Sequence, residues 1–511
     1  MGFAGFEEDV RELSEEILRD MGYKVLVAAN GHQAAGICEQ YENAIDLLIT
    51  DGEVVSPDGT DRLDVAIKDG HVVALASPGT LDRDAERTID ARGRYVIPGG
   101  IDAHVHFSLE LNETMKAQSS AAGSRAAAYG GTTTFIDFAY QAGGQSLLEA
   151  IRLKRERLAA ERPNVDYALH SFLTGPFPFE VIEELKDAIA EGVMSFKMFT
   201  TFSGASASGS IFTDDGRIWG VMEELAGRGG IAQVHCEDDC IIDFHVRRLY
   251  REGRAQGANI HLARPNLAEE AAVRRMLLLS RRSGCPLYVV HVSTREAVDA
   301  IAAAHGDGQP VYGEILHNYL VFTSEAYARP RGLTYHNYPP LKGEEDRQAL
   351  WKAVATSRGG DTVASDDYTI PLAAKLSGSM VDNVPGGHNG VETRLMTLFS
   401  EGVATGKIGI TTLVAVACTN PARLFGLYPR KGIIAPGSDA DIVLIDPRAE
   451  KTIALGDLHS DCDYSIWEGH RFRGVPVMTI VRGQVLVENG KWVGANGIGQ
   501  FVPGKAPGAW R

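Results

Sequence analysis

A chain of 511 residues with 44% hydrophobic and 23% charged residues can bury a large core and is long enough for more than one domain, which argues against disorder. Its formal net charge of -17, from 67 acidic against 50 basic residues, lacks the basic footprint that nucleic acid or an anionic membrane surface requires. Six scattered cysteines make no disulfide framework, no apolar run reaches membrane-spanning length and no signal-like segment opens the chain, so the expectation is a cytoplasmic protein.

The first predicted elements lie between Glu7 and Asp51. Val10, Leu13, Ile17, Leu18 and Met21 form a helical stripe, Lys24-Val-Leu-Val-Ala-Ala reads as a strand, Gly31 to Tyr41 as a second helix, and Asp46-Leu-Leu-Ile-Thr-Asp51 as another strand. This wording resembles the middle of a response-regulator receiver domain, with Asp51 where that family's phosphoacceptor stands. The first strand with its acidic pair is missing, as is everything downstream. Residues 1–45 are therefore expected to be a receiver-like fragment without a phosphorylation switch.

From Asp46 the chain changes character. Leu47 to Val55, Asp64 to Lys68 and His71 to Ala76 are short strands parted by Asp-Gly turns, and Lys431 to Asp446 and Val475 to Val487 repeat the pattern near the other end. Strands at both ends around a long insertion predict a small β-sandwich built from residues 46–98 and 430–495, followed by a tail over 496–511. The insertion, residues 99–429, alternates strand and helix. Strands are expected to end at His106 and to run over Thr132–Ala139, Asp166–Leu173, Ser195–Thr200, Ile231–Glu237, Leu287–Ser293, Val311–Leu316 and Thr362–Asp366. Eight strands with helices between them make an α/β chain whose central domain is a (β/α)8 TIM barrel. The competing open, doubly wound sheet should carry a glycine-rich nucleotide fingerprint after its first strand, and none appears.

Active sites of such barrels lie at the C-terminal ends of the strands. The last polar residues there are His104 and His106, Lys197, His235, His291 and Asp366. Side chains at i and i+2 of a strand share a face, so His104 and His106 have metal-ligand spacing. Singly, each of the six reads as easily as a hydrogen-bonded core residue. Together on five strands of one barrel they predict a metal site. Cys236 and Cys240 flank Glu-Asp-Asp beside His235, but no further cysteine pair completes a structural zinc site there.

With these residues in place, the chain resembles the amidohydrolase superfamily, and within it the dihydropyrimidinase and hydantoinase branch of cyclic amidohydrolases. The resemblance is carried by Pro98-Gly-Gly-Ile-Asp-Ala-His-Val-His106, Gly130-Gly-Thr-Thr-Thr134, Gly192-Val-Met-Ser-Phe-Lys197, His235-Cys-Glu237, His291-Val-Ser293, Tyr338-Pro-Pro-Leu341, Ser365-Asp366, Asn389-Gly-Val-Glu392 and Pro436-Gly-Ser-Asp-Ala-Asp441. It implies two divalent metal ions, usually zinc. One ion would be held by His104, His106 and Asp366 and the other by His235 and His291, with a carbamylated Lys197 bridging them. It implies a bridging hydroxide as nucleophile, Asp366 as the proton-transferring residue, main-chain contacts around Tyr338 and Asn389 for the substrate, and a homo-oligomer, dimer or tetramer.

The chain also departs from that pattern. Phe202 stands five residues after the lysine, where hydantoinases place a tyrosine that donates to the oxyanion, so either another donor substitutes, with Tyr368, Tyr140 and His317 as candidates, or the preferred substrate differs. Asp367 replaces a usual histidine, and His317, in Ile315-Leu-His-Asn-Tyr319, faces the expected pocket either as a substrate contact or as a structural hydrogen-bond partner. After the paired histidines comes Phe107-Ser-Leu-Glu-Leu111, without the arginine with which dihydroorotases bind a carboxylate. A neutral cyclic amide or imide, with Phe107, Leu109 and Leu111 offering apolar surface, is the expected substrate. The alternatives are hydrolysis of a different amide, carbamate or related bond, or a non-catalytic scaffold.

Overall fold

The computed structural model describes residues 45–81, 85–203 and 211–506. The receiver-like reading of residues 1–45 falls almost entirely outside them. Two sheets organise the rest. The first mixes both ends of the chain in the order β17-β16-β15-β14-β5-β1-β2-β3, with β4 paired to β1. Its strands are β1 (Ile45–Val55), β2 (Thr60–Lys68), β3 (His71–Ala76), β4 (Ala85–Asp90), β5 (Tyr95–Pro98), β14 (Ile442–Thr452), β15 (Arg471–Val481), β16 (Gln484–Glu488) and β17 (Lys491–Trp492). The junction between the two ends is the antiparallel pair β5 and β14, Pro98 opposite Ile442. A core of Leu47, Ile49, Val65, Ile67, Val96, Ile442, Leu444 and Ile480 holds it.

The second sheet contains β6 (Gly100–Val105), β7 (Thr132–Gln141), β8 (Asp166–Leu173), β9 (Ser195–Phe199), β10 (Ile231–His235), β11 (Leu287–Val289), β12 (Val311–Leu316) and β13 (Thr362–Ala364), in that order. Every neighbouring pair is parallel. The ends meet where the Ser365 N–H donates to Asp102 Oδ1 at 3.1 Å and the His106 N–H to the Asp367 carbonyl at 2.8 Å, which closes the barrel. Parallel strands buried on both faces read as nearly continuous apolar runs, and β7 and β8 are buried along almost their whole length.

Helices cover the barrel: α1 (Ser120–Tyr129), α2 (Leu147–Glu161), α3 (Asp215–Leu225), α4 (Asp239–Arg251), α5 (Asn266–Ser283), α6 (Arg295–Gly306) and α7 (Glu344–Thr356), with shorter turns between. Ser119, Ser146, Asp214, Asp238 and Thr294 accept backbone N–H groups at the first turns of α1, α2, α3, α4 and α6. Such caps fix where a helix begins. Asp238 starts α4 only three residues after His235, so the loop between them is short.

Three strands end two or more residues earlier than the apolar runs suggest, among them β10, at His235 rather than Glu237. β11 stops at Val289 and β13 at Ala364, because His291 (φ 41°) and Asp366 (φ 50°) adopt left-handed backbone conformations. Non-glycine residues rarely do so, and such strain gathers at functional sites. Phe107 is a correction. It is fully buried, packed edge-on against Phe135 with ring centroids 5.0 Å apart, and belongs to the core rather than to a substrate surface.

Candidate metal centre

All six predicted residues converge. Asp366 Oδ1 lies 3.3 Å from His104 Nε2 and 2.9 Å from His106 Nε2, a group able to hold a metal ion. His235 Nδ1 faces His291 Nε2 at 3.1 Å. The rings of His104 and His291 are 5.5 Å apart, so the two sets adjoin. Lys197 is buried on β9 with Nζ 5.4 Å from the Phe138 ring centroid and 5.0 Å from that of Phe199. Phe138 packs against His104 and His106, and Phe199 stacks on His235. The amine therefore lies among the imidazoles.

The outer nitrogens are tied down. His104 Nδ1 is 2.6 Å from Glu314 Oε1, His106 Nδ1 is 2.6 Å from the Tyr140 hydroxyl, and His235 Nε2 is 2.7 Å from Glu237 Oε2. A carboxylate at one ring nitrogen fixes the proton there and leaves the lone pair on the other. The bare nitrogens of His104 and His235 consequently point at Asp366 and at His291. Two donor atoms on a tetrahedral ion with bonds of about 2.05 Å stand about 3.3 Å apart, which is the spacing seen in both sets. The lone pairs of His104 Nε2 and His235 Nδ1 are thereby turned toward the other donors of their sets, an arrangement a cation could occupy.

Burial pushes the imidazoles of His106 and His235 down to about 4 and that of His291 well below its ordinary value. All three are thus neutral at physiological pH, the form in which an imidazole can ligate a cation. Burial also pulls the Lys197 ammonium down to about 8. Asp366 is pushed up by burial, but His104, His106 and Lys197 more than reverse this and hold its carboxyl below the usual carboxylate range.

Glu314, Glu237, Arg264 and Asn337 escaped the sequence reading as site residues. Glu314 also accepts the His291 N–H at 3.0 Å and the Tyr288 hydroxyl at 2.8 Å. Arg264 pairs with Glu237 and lies over the rings of Phe202 (4.7 Å) and Tyr338 (4.4 Å). Asn337 Nδ2 donates to Asp366 Oδ2 at 2.9 Å. Only Glu237 carried a sequence signal, two residues beyond His235.

The expected substrate contacts divide. Phe202, at φ 67°, packs edge-on to Tyr338 at 5.2 Å and lies 5.7 Å from the His235 ring. The Tyr338 hydroxyl donates to the Val384 carbonyl at 2.8 Å, and the Asn389 amide to Ser465 Oγ at 3.3 Å. His317 is fully buried, with Nε2 3.1 Å from Thr393 Oγ1 and its ring stacked 5.0 Å from Trp467. These contacts support the structural one of its two readings. Asp367 accepts the Gly390 and Val391 N–H groups at 2.8 and 3.1 Å and so fastens the loop that carries Asn389. Cys236 is buried and Cys240 exposed, and both are free.

Comparison with known proteins agrees with this geometry. Residues 95–486 match the family described as the amidohydrolase family. The D-hydantoinase of Streptomyces coelicolor is 37% identical over 466 residues, spanning 89% of this chain and 97% of that protein. The D-hydantoinase of Ralstonia pickettii is 37% identical over 464 residues, spanning 90% and 98%. Among solved structures, the dihydropyrimidinase of Brevibacillus agri superposes with a TM-score of 0.84 at 34% identity, covering 90% of this chain and 99% of that one. The L-hydantoinase (dihydropyrimidinase) of Arthrobacter aurescens gives 0.83 at 31%, covering 90% and 100%.

Proposed function

The chain belongs to the amidohydrolase family, on its hydantoinase and dihydropyrimidinase branch, and from that premise we propose that it opens a C–N bond in a neutral cyclic amide or imide of the hydantoin or dihydropyrimidine type. The observation that carries the proposal is the pair of ligand sets, His104, His106 and Asp366 beside His235 and His291, with three of the four imidazoles held by a partner at the outer nitrogen. The donor chemistry fits two divalent ions, and the nitrogen-rich set suits zinc. When bound, the ions polarise a ring carbonyl and lower the pKa of a water.

The chain's own residues supply the rest. Lys197, as an ammonium, has no lone pair to give. Its buried amine is pulled to about 8, so a fraction is free base at neutral pH, and this attacks carbon dioxide to give a carbamate and release a proton. The carbamate is an anion with two oxygens, suited to link the two ligand sets. Asp366 takes the proton of the attacking water and delivers it to the leaving ring nitrogen, base first and then acid. Main-chain groups around Tyr338 and Asn389 grip the ring amide.

A neutral substrate is favoured because the buried cations around the site are committed among the described residues. Arg264 pairs with Glu237, Lys342 Nζ donates to the Arg264 carbonyl at 2.6 Å, and Lys375 Nζ donates to the carbonyls of His336 and Pro385 at 2.6 and 2.8 Å. Both D- and L-hydantoinases share this fold, so the fold alone does not select a hand. By analogy with the family, we place the protein in the cytoplasm as a homo-oligomer.

The test is elemental analysis of protein grown with zinc, followed by assay on hydantoins, dihydropyrimidines and cyclic imides. About two metal equivalents and turnover of at least one ring are expected. Turnover of a linear amide or carbamate alone would favour the alternative bond, which Phe202 motivates. Absence of metal would favour a scaffold.

A further inference from the structure

We infer that the side-chain amide of Asn337 is a catalytic hydrogen-bond donor, aimed at the carbonyl oxygen of the ring being opened; the assignment rests on the cyclic-amide reading above. Asn337 is 4% exposed. Its Oδ1 accepts the Tyr338 N–H at 3.0 Å, which decides which end of the amide is oxygen and turns Nδ2 toward Asp366, 2.9 Å from Oδ2. The other oxygen of the same carboxylate faces His104 and His106. Nδ2 thus stands one carboxylate's width from the ligand cluster. An amide nitrogen carries two hydrogens. Asp366 takes one, and among the described residues the second has no protein acceptor.

Hydrolysis of an amide places negative charge on the carbonyl oxygen, and a neutral donor fixed in advance in a buried site stabilises that charge without reorganisation. The neighbouring donors are spent elsewhere. The Tyr338 hydroxyl serves Val384, the Tyr368 hydroxyl serves the Met115 carbonyl at 3.2 Å, and Arg264 serves Glu237. Phe202 has no proton to give. Tyr140 touches His106 at Nδ1, the nitrogen turned away from Asp366. Tyr338, next in sequence, packs edge-on to Phe202, whose ring lies 5.7 Å from that of His235.

The experiment uses metal-loaded, full-length enzyme and the cyclic amide that the wild type turns over best. It compares Asn337→Ala and the near-isosteric Asn337→Leu with Tyr140→Phe. Bound metal is measured alongside kcat and KM, and calorimetry gives the affinity for a ring analogue with a tetrahedral phosphinate in place of the scissile carbonyl. Both Asn337 variants are expected to keep their metal and a KM within about threefold, to lose about 10²-fold in kcat, and to bind the phosphinate at least about tenfold more weakly. Adding Phe202→Tyr to Asn337→Ala, which sets a hydroxyl on the ring near His235, is expected to restore part of kcat. Unchanged kcat and phosphinate affinity in both Asn337 variants would overturn the assignment. So would a loss that tracks loss of metal, or a loss seen with Tyr140→Phe instead. A wild type that opens no cyclic amide would overturn the reading of the site and this assignment together, whereas an active wild type with unimpaired Asn337 variants overturns the assignment alone.

Discussion

Glu314 sits near the end of β12, where three groups depend on it: His104 Nδ1, the His291 N–H and the Tyr288 hydroxyl. It reaches both ligand sets at once. Outer partners of ligating histidines commonly contribute 10- to 100-fold in metal affinity, so Glu314→Ala should weaken metal binding by about that factor while leaving the far-ultraviolet circular dichroism unchanged. Competition with a chelator measures it, and wild-type affinity in the variant would refute the role. A second prediction concerns Lys197. Its ammonium is depressed to about 8, and only the free base adds carbon dioxide, so the reactive fraction falls as pH drops below 8. At fixed dissolved carbon dioxide, reconstitution of metal-free enzyme with zinc should be on the order of twentyfold faster at pH 8.5 than at pH 6.5. A flat profile would count against carbamylation. The six convergent residues were legible because polar side chains at the ends of apolar runs are conspicuous. Glu314 was not, because a carboxylate inside Val311-Tyr-Gly-Glu-Ile-Leu316 carries no mark of the histidines it meets far along the chain.

At the scale of elements, β8, β9 and β12 could be read to within a residue, since buried parallel strands are apolar runs closed by turn chemistry. β11 and β13 could not. Their ends are set by the left-handed turns at His291 and Asp366, a conformation that His and Asp tolerate better than most residues but that nothing in the local sequence dictates. Pairings such as β4 and β5 parallel to β1 were equally hidden, because register depends on partners distant in sequence. The start of α4 is better marked. Asp238 accepts the Ile241 N–H at 3.0 Å and pairs with Arg275 at 2.9 Å, so it both caps the helix and holds it to α5. Asp238→Ala should cost about 1 kcal/mol, the usual value of a cap, with the exposed part of the ion pair adding little. Urea denaturation reads this directly, and an unchanged midpoint would mean that the first turn finds another acceptor.

For the molecule as a whole, the strands at both ends were legible, but the device joining their sheet to the barrel was not. Lys431 is buried, with Nζ 2.6 Å from Asp166 Oδ2 at the start of β8, 2.6 Å from Asp441 Oδ2 just before β14 and 2.8 Å from Asp439 Oδ2. Arg482, between β15 and β16, closes the cluster on Asp166. In sequence these are five charges spread over more than half of the chain, and nothing in the sequence shows that they meet. Burial pushes the Lys431 ammonium down, but the three carboxylates more than reverse this and raise it above its ordinary value. Removing one partner of a buried ion pair leaves uncompensated charge, at a cost of about 3–5 kcal/mol, so Lys431→Met should lose about that much stability at pH 7. The sign of its pH dependence follows. Arg482 still pairs with Asp166 and Arg430 with Asp439, but without the ammonium Asp441 loses its buried counter-ion, and its carboxyl, already raised by burial, rises further above the unfolded value. The folded variant then binds more protons than the unfolded chain, and its stability relative to wild type should recover as pH falls through that raised range. Denaturation curves of both proteins between pH 5 and 8 measure it. A deficit that stays constant over that range would mean that the lost packing of the lysine stem, rather than the stranded Asp441 carboxylate, accounts for the effect.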